Sequence, residues 1–499
     1  MKNHLIIRFM NPIQVSEIEY VDVIVVGGGI AGVAITEFLA RHSNLSIKLL
    51  EKAPQLGNLA SGKLEGWYHT GALYSGQDDA QTFINCVNGV EDLINLYTPY
   101  FTEQCNVNLT EKDNKFFTPA ISPNPKGWFN NAPVYLIHPQ EDAPEIRSSR
   151  LKSDGVQINI QRNRVLGRLE VAYGKQHNWL VNNQCLAPTY AQVEDYEGLN
   201  CSLKNSTEII RNLCRQFDQS YHIEPSNYDF IETLDCSMHT SRILKDLVTS
   251  CLSHGVTFET GIKIEKLLID SYGKLRIKSL LCKTKEGRAK RLKAKLFIFA
   301  VGEGFEPFLK DLQVRAKLKR SRSAMVVAYP ALVDTNFVRM STKNRFHFNH
   351  FVQHRELGNE KYTYSLLADS GYANDDSMDG VDIEPILESA ERYFGQDKLY
   401  NRRLYSYECV KTEFISQEEQ KRRYSYWIES DSDSNYLCVL PGKFSFFPTV
   451  AYQAYQRIKT LLHFEETKSK TSYESNINIE KEANQLVAES FPMQIFLAN

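Results

Sequence analysis

Between residues 27 and 32 the chain reads Gly27-Gly28-Gly29-Ile30-Ala31-Gly32, a GxGxxG pattern, and Glu51 stands nineteen residues beyond Gly32. Each position has a physical task. Gly27 permits a tight turn, Gly29 lets backbone N–H groups approach a pyrophosphate, and Gly32 allows a helix to lie close against a strand. The partial positive charge of a helix N-terminus favours the phosphates. The Glu51 carboxylate can accept hydrogen bonds from ribose hydroxyls and would repel a 2′-phosphate. After Glu51 and Lys52, the small residues from Gly57 through Ser61-Gly62-Lys63 suit a loop folded back over a pyrophosphate.

Other residue types point to the reaction itself. His69 carries an imidazole, whose ordinary pKa of about 6.5 suits proton abstraction near neutral pH. The one dense cationic run is Arg315-Ala-Lys317-Leu-Lys319-Arg320-Ser-Arg322, just before an apolar strand at 323–329. Guanidinium forks hold carboxylates or phosphates at two points, so Arg320 and Arg322 are candidates for gripping a substrate; a solvated basic loop is the alternative. Arg345, His347 and His350 form a second polar cluster, but Arg-x-His-x-x-His is no zinc signature by itself.

The elements that must position these groups are legible around them. Val23-Ile24-Val25-Val26 is a β-branched run typical of a buried parallel strand. Ile30, Val33, Ala34 and Phe38 recur at helical spacing to about Arg41, and a second strand spans 45–50 before Glu51. This is a β-turn-α-β unit, which packs right-handed beside a parallel sheet. Farther on, Ile243, Leu244, Leu247, Val248, Cys251 and Leu252 mark a helix stopped by Gly255, followed by a strand at 256–259. Turn signals at Tyr272-Gly273 and Glu286-Gly287 predict an antiparallel meander, and Leu296–Val301 a buried strand before Gly302.

Composition sets outer limits. The chain has 499 residues, and 58 Lys+Arg against 60 Asp+Glu leave a net charge of −2. This balance gives no electrostatic reason to expect a nucleic-acid partner. The longest uncharged apolar stretch, residues 23–36, holds fourteen residues, four of them glycine. A bilayer span needs about 20, so none is expected. The N-terminal twenty residues read as a leader strand or loose extension rather than a signal peptide. The ten cysteines are far apart with no CxxC, which argues against a disulfide scaffold or a thiolate metal site and for free thiols in a reducing cytoplasm.

The strand, the glycine hairpin, Glu51-Lys52, the Ser61-Gly62-Lys63 loop and His69-Thr70-Gly71 together resemble the FAD-dependent oxidoreductases of the superfamily that includes D-amino-acid oxidase, glycerol-3-phosphate dehydrogenase and L-2-hydroxyglutarate dehydrogenase. Three later segments match in order. Gly261–Ile264 is similar to the segment whose backbone meets the adenine. Residues 296–302, ending in Ala300-Val301-Gly302, resemble the family's strand and turn near the flavin. Pro441-Gly442-Lys443-Phe444-Ser445 resembles its C-terminal glycine–lysine segment. The resemblance covers about 200 of the 499 residues. It departs at Gly302-Glu303-Gly304-Phe305, where relatives often carry a tryptophan.

The resemblance implies an α/β fold, α+β overall: a Rossmann-like FAD-binding domain with an inserted mixed-sheet substrate domain. The expected boundaries are 1–19 for an N-terminal extension, 20–90, 230–312 and 430–464 for the FAD domain, 91–229 and 313–429 for the substrate domain, and 465–499 for a polar tail holding a terminal helix at 479–491. Expected FAD contacts are Gly27, Gly29, Ile30, Ala31, Gly32, Glu51, Lys52, Ser61, Lys63, His69, Thr70, Gly71, Ile264, Ala300, Gly302, Gly442, Lys443 and Phe444. His69 would act beside the isoalloxazine, where some amine-oxidising relatives bond a neighbouring histidine to FAD. Lys443 would place positive charge near the flavin N1–C2 carbonyl. The implied reaction is hydride transfer from a CH–OH or CH–NH carbon of a small polar substrate to flavin N5, with electrons passed to oxygen or a quinone. The implied setting is cytoplasmic, with peripheral membrane contact left open. Rival readings are a flavin monooxygenase or halogenase, against which the lack of a second GxGxxG counts only partly, and a non-catalytic binding protein on the same fold.

Overall fold

A computed structural model describes residues 18–64, 66–97, 127–130, 134–147, 156–170, 215, 217, 225–270, 275–340, 346–357, 359–369, 373–374, 381–415, 425–431, 433–467 and 476–498. The β1 strand (Ile18–Val26), the α1 helix (Ile30–His42) and the β2 strand (Ile47–Glu51) build the expected crossover. Val23, Ile24 and Val25 are fully buried because β1 lies mid-sheet, between β2 and the strand Ala289–Phe299, parallel to both. The parallel order continues outward to Tyr436–Leu440 on one side and Thr257–Thr260 on the other, and Trp427–Glu429 adds an antiparallel edge. The strands Lys263–Asp270 and Arg276–Lys283 form the predicted meander onto the long strand Ala289–Phe299, turning at Gly287 with φ +83°. The Tyr272-Gly273 turn lies outside the described residues.

Helices cover the sheet. Residues 30–41 of α1 are all buried, enclosed by the helices Thr240–Ser253 and Phe447–Leu462. Burial on every side makes the charged pair inside α1 costly unless its bonds are satisfied. Arg41 Nε donates to Glu37 at 2.9 Å, Ser250 Oγ donates to Glu37 at 2.9 Å, and Arg41 Nη1 donates to the Leu96 carbonyl.

A second eight-stranded sheet is mainly antiparallel, in the order 373–374, 317–329, 360–368, 346–357, 336–340, 134–139, 228–233, with Arg403–Ile415 on the other side of Lys317–Tyr329. Alternation splits its side chains between two faces. Met325, Val327, Phe351, Tyr364 and Tyr407 join one apolar cluster with the first sheet's helices, whereas Ala324, Val326, Phe348 and Leu367 pack with helix Glu384–Phe394.

Several expectations change. The strand Tyr228–Thr233 sits in the second sheet and Trp427–Glu429 in the first, so the expected boundary at 230 cuts through a strand and that at 430 leaves a strand of the first sheet on the substrate side. The basic run is no loop: from Lys317 it is the first half of a thirteen-residue strand. The C-terminal segment holds two helices where one was expected at 479–491. They are Ile477–Leu486 and Phe491–Ala498, broken where Val487 pairs with Leu56. Among the described residues no helix is long and apolar enough to cross a membrane.

Candidate active site

The carboxyl ends of β1, β2 and Ala289–Phe299 open on a cavity of about 480 Å3. Its floor is the glycine hairpin. Gly27 adopts φ +109°, and a Cβ there would fall 2.4 Å from the Ala300 carbonyl oxygen; one on Gly32 would fall 1.9 Å from that of Gly27. Side chains are therefore excluded where helix, strand and hairpin converge. Gly29 is the N-cap of α1 and brings no side-chain cap, so the helix presents bare backbone and its positive end to the cavity. Ser61, in the short α2 helix (Ala60–Lys63), accepts the Ile30 N–H on its Oγ at 3.0 Å.

One end of the cavity holds Glu51. Its carboxylate accepts the N–H groups of Gly28 at 2.6 Å and Ala53 at 2.7 Å, which clamps it beside the hairpin while it still lines the cavity. Ile262, Lys263 and Ile264 face it, held by Ile262 N–H donating to the Glu51 carbonyl.

The other end holds His69, Trp67, Tyr74, Met238, Lys411 and Lys443. His69 stands between Trp67 and Tyr74, with ring centroids 4.3 and 5.3 Å away. Its Nδ1 is sealed off without a hydrogen-bond partner among the described residues, leaving Nε2 as the nitrogen turned to the cavity. Burial, then the nearby Lys443 and Lys411 charges, push the imidazole pKa well below its usual 6.5. The ring is therefore neutral at pH 7. Lys443 bonds the Tyr74 hydroxyl and lies 4.4 Å from that ring's centroid.

The loop carrying His69 hangs on Asp235, which the sequence did not single out. This carboxylate is 1% exposed and accepts Trp67 Nε1–H at 2.8 Å, Thr70 N–H at 2.8 Å and Thr70 Oγ1–H at 2.6 Å, with the Ala72 N–H as a further donor. Burial nevertheless leaves its pKa raised. Three residues flanking His69 thus share one buried acceptor.

Of the residues expected from sequence, Gly27, Gly29, Ile30, Ala31, Glu51, Lys52, Ser61, His69, Ile264, Ala300, Gly302, Gly442, Lys443 and Phe444 line this cavity. Four expected contacts do not. Gly32 packs behind the hairpin, Thr70 is turned to Asp235, Gly71 serves as a φ +116° bend against Phe83, and Lys63 reaches over the Phe491 ring instead. Arg320 and Arg322 are not brought in. Alternation along their strand puts them with Ala324 and Val326 on the face away from the first sheet, where Arg322 pairs with Glu408 at 3.2 Å. Their places at the wall are taken by residues 410–413 of the neighbouring strand, including Lys411. His350 is a satisfied core histidine. It bonds the Thr335 carbonyl and Ser365 Oγ, and burial lowers its pKa to about 4. Arg345 lies outside the described residues, as does the side chain of His347.

A glycine hairpin under a strand-end cavity, with an acidic clamp beside it, is the arrangement of a dinucleotide-binding site of the α/β class. Residues 22–120 match the family model of the FAD dependent oxidoreductases. Among solved structures the chain is similar to glycine oxidase from Geobacillus kaustophilus, at 12% identity and a TM-score of 0.55, covering 92% of this chain and 100% of that one. It is also similar to the L-alpha-glycerophosphate oxidase of Mycoplasma pneumoniae solved with FAD bound (14%, 0.53, 91% and 98%). L-proline dehydrogenase from P. horikoshii aligns at 10% identity and 0.53, covering 91% and 96%. At these identities the likenesses show a shared fold. No curated protein matches the chain by sequence. The match over residues 22–120 is thus to the FAD dependent oxidoreductases, and the solved structures of like fold are enzymes of that kind.

Proposed function

We propose that the protein oxidises a small polar substrate at a CH–OH or CH–NH carbon, and that the substrate carries a carboxylate or phosphate. The observation that carries this reading is the pairing, at one end of the cavity, of a neutral histidine with two lysines. The solved structures of like fold include enzymes named for glycine, glycerophosphate and proline, all small polar molecules.

The residues expected to hold FAD are those along the cavity floor. The hairpin from Gly27 to Ala31 and the positive end of α1 would take the pyrophosphate, Glu51 the ribose hydroxyls, and the backbone at Ile264 the adenine. The excluded Cβ positions at Gly27 and Gly32 are what such close backbone approach requires. Bound there, FAD supplies the hydride acceptor and, later, the route of electrons to oxygen or a quinone.

The chain's own groups handle the proton and the charge. His69 Nε2 is a neutral acceptor for the proton leaving the substrate's hydroxyl or amine. Because its pKa is depressed, the imidazole keeps its lone pair on acidification, so the acid limb of the reduction rate falls well below pH 6.5. Lys411 and Lys443 supply the positive field that an anionic substrate group requires. Lys443, tethered to Tyr74, also stabilises negative charge gathering at this end of the cavity. Trp67, Leu73 and Met238 exclude water around the imidazole.

Anaerobic mixing of the purified yellow protein with 2-hydroxy acids, amino acids and glycerol phosphates tests this reading. Bleaching of the flavin band by a member of that panel is the expected result. Bleaching by NADPH alone, with none of the panel active, would overturn it in favour of a monooxygenase.

A further inference from the structure

We infer that the C-terminal segment, residues 485–496, is a working part of the cofactor site: it pins the loop 55–63 against the glycine hairpin and thereby sets how tightly FAD is held. None of these residues lines the cavity. They act through the loop that does.

The contacts run in a continuous chain. Val487 pairs with Leu56 as a short parallel bridge, in which Leu56 N–H donates to the Leu486 carbonyl at 2.8 Å and Ala488 N–H donates to the Leu56 carbonyl at 3.0 Å. Gln55 Nε2–H donates to the Gln485 carbonyl at 3.1 Å. Glu489 pairs with Lys245, and the Phe491 ring receives the Lys63 ammonium at 4.9 Å. On its inner side the same loop grips the hairpin. Leu56 is fully buried, and its Cδ2 lies 2.4 Å from where a Cβ of Gly28 would be; Gly57 N–H donates to the Gly28 carbonyl at 2.9 Å. Gly57, Asn58, Leu59, Ala60 and Ser61 then line the cavity directly.

The far end of the segment is anchored in the other sheet. Phe496 sits among Tyr329, Tyr362, Tyr364 and Tyr405 at centroid distances of 5.0 to 5.9 Å, and Phe491 lies 4.8 Å from Tyr407. The strap therefore ties the cofactor loop to the sheet whose strand 403–415 forms the opposite wall of the cavity. Polar side chains at 476–490 hide this role in the sequence, because the coupling is made mostly by backbone atoms and two phenylalanines.

Binding couplings are reciprocal. If the strap steadies the loop for FAD, then FAD must steady the strap. The test is amide hydrogen exchange of residues 485–490 in the full chain, with and without FAD, together with FAD titration of apoprotein by quenching of flavin fluorescence. Phe496→Ala is the principal variant, and a chain ending at residue 475 is a second. The expected result is slower exchange at 485–490 with FAD, and about tenfold weaker FAD binding by Phe496→Ala, the loss that a few weakened contacts in the loop would give. Should the shortened chain fail to fold, the exchange measurement and Phe496→Ala still decide. Exchange at 485–490 indifferent to FAD, or equal destabilisation of apo and loaded protein with unchanged FAD affinity, would overturn the inference.

Discussion

Asp235→Asn is the most instructive single change outside the cavity. The carboxylate accepts two donors from Thr70 on Oδ1 and one from Trp67 on Oδ2, besides the Ala72 N–H, all without solvent. An amide of the same shape keeps one acceptor oxygen and turns an NH2 group toward the other side. If its oxygen stays on Thr70, the Trp67 Nε1–H faces a donor; if it flips, the Thr70 N–H does. Either way one buried donor is orphaned, at a cost of about 1–3 kcal/mol. The strained partner sits on one side or the other of His69, so the imidazole should shift with it. A displacement on the order of 1 Å at a reacting group can cost about a hundredfold in rate. The prediction is a loss of about 1–3 kcal/mol in urea unfolding and a flavin reduction rate depressed at least about tenfold, with FAD affinity retained because the hairpin is untouched. A variant within about 0.5 kcal/mol of the parent and reduced at the parent rate would refute the idea that this carboxylate fixes the histidine loop.

Two further outcomes follow from the geometry. Gly32→Ala places a Cβ against the Gly27 carbonyl, so the hairpin must open; the protein should purify without flavin, and a yellow Gly32→Ala protein would contradict that packing. Stability should fall on acidification from pH 6.5 toward 4, because burial holds His138 and His350 near a pKa of about 4 while the unfolded chain takes up protons at about 6.5. The unfolded state binds more protons in that window, so unfolding free energy rises with pH. Each histidine contributes about 2 kcal/mol between pH 6.5 and 5. Replacing either by Gln should flatten the slope measured by urea unfolding by about one proton, and an unchanged slope would show that the ring was not buried as a neutral group.

The cofactor half of the site was readable because its physics is local. A glycine that must take φ +109° and one that must let a carbonyl come within contact sit five residues apart, next to a β-branched strand, and Glu51 closes the following strand. The substrate half was not. Arg320 and Arg322 stand out by charge, but which face of a strand a residue occupies depends on its register with Arg403–Ile415, eighty or more residues away. The same register brings Lys411 to the wall in their stead, with no motif around it to announce the fact. Asp235 was invisible for a related reason: its donors lie more than 160 residues earlier. The segment 485–496 carries no motif, and its bonds to Leu56 are made by backbone, which composition does not record.

Proton removal is proposed to depend on the imidazole at the lysine-rich end of the cavity. Stopped-flow reduction of FAD-loaded His69→Gln, with a substrate that bleaches the parent protein, measures that role alone. The predicted result is a reduction rate lower by about a hundredfold or more with flavin still bound. A His69→Gln protein reduced as fast as the parent would contradict it.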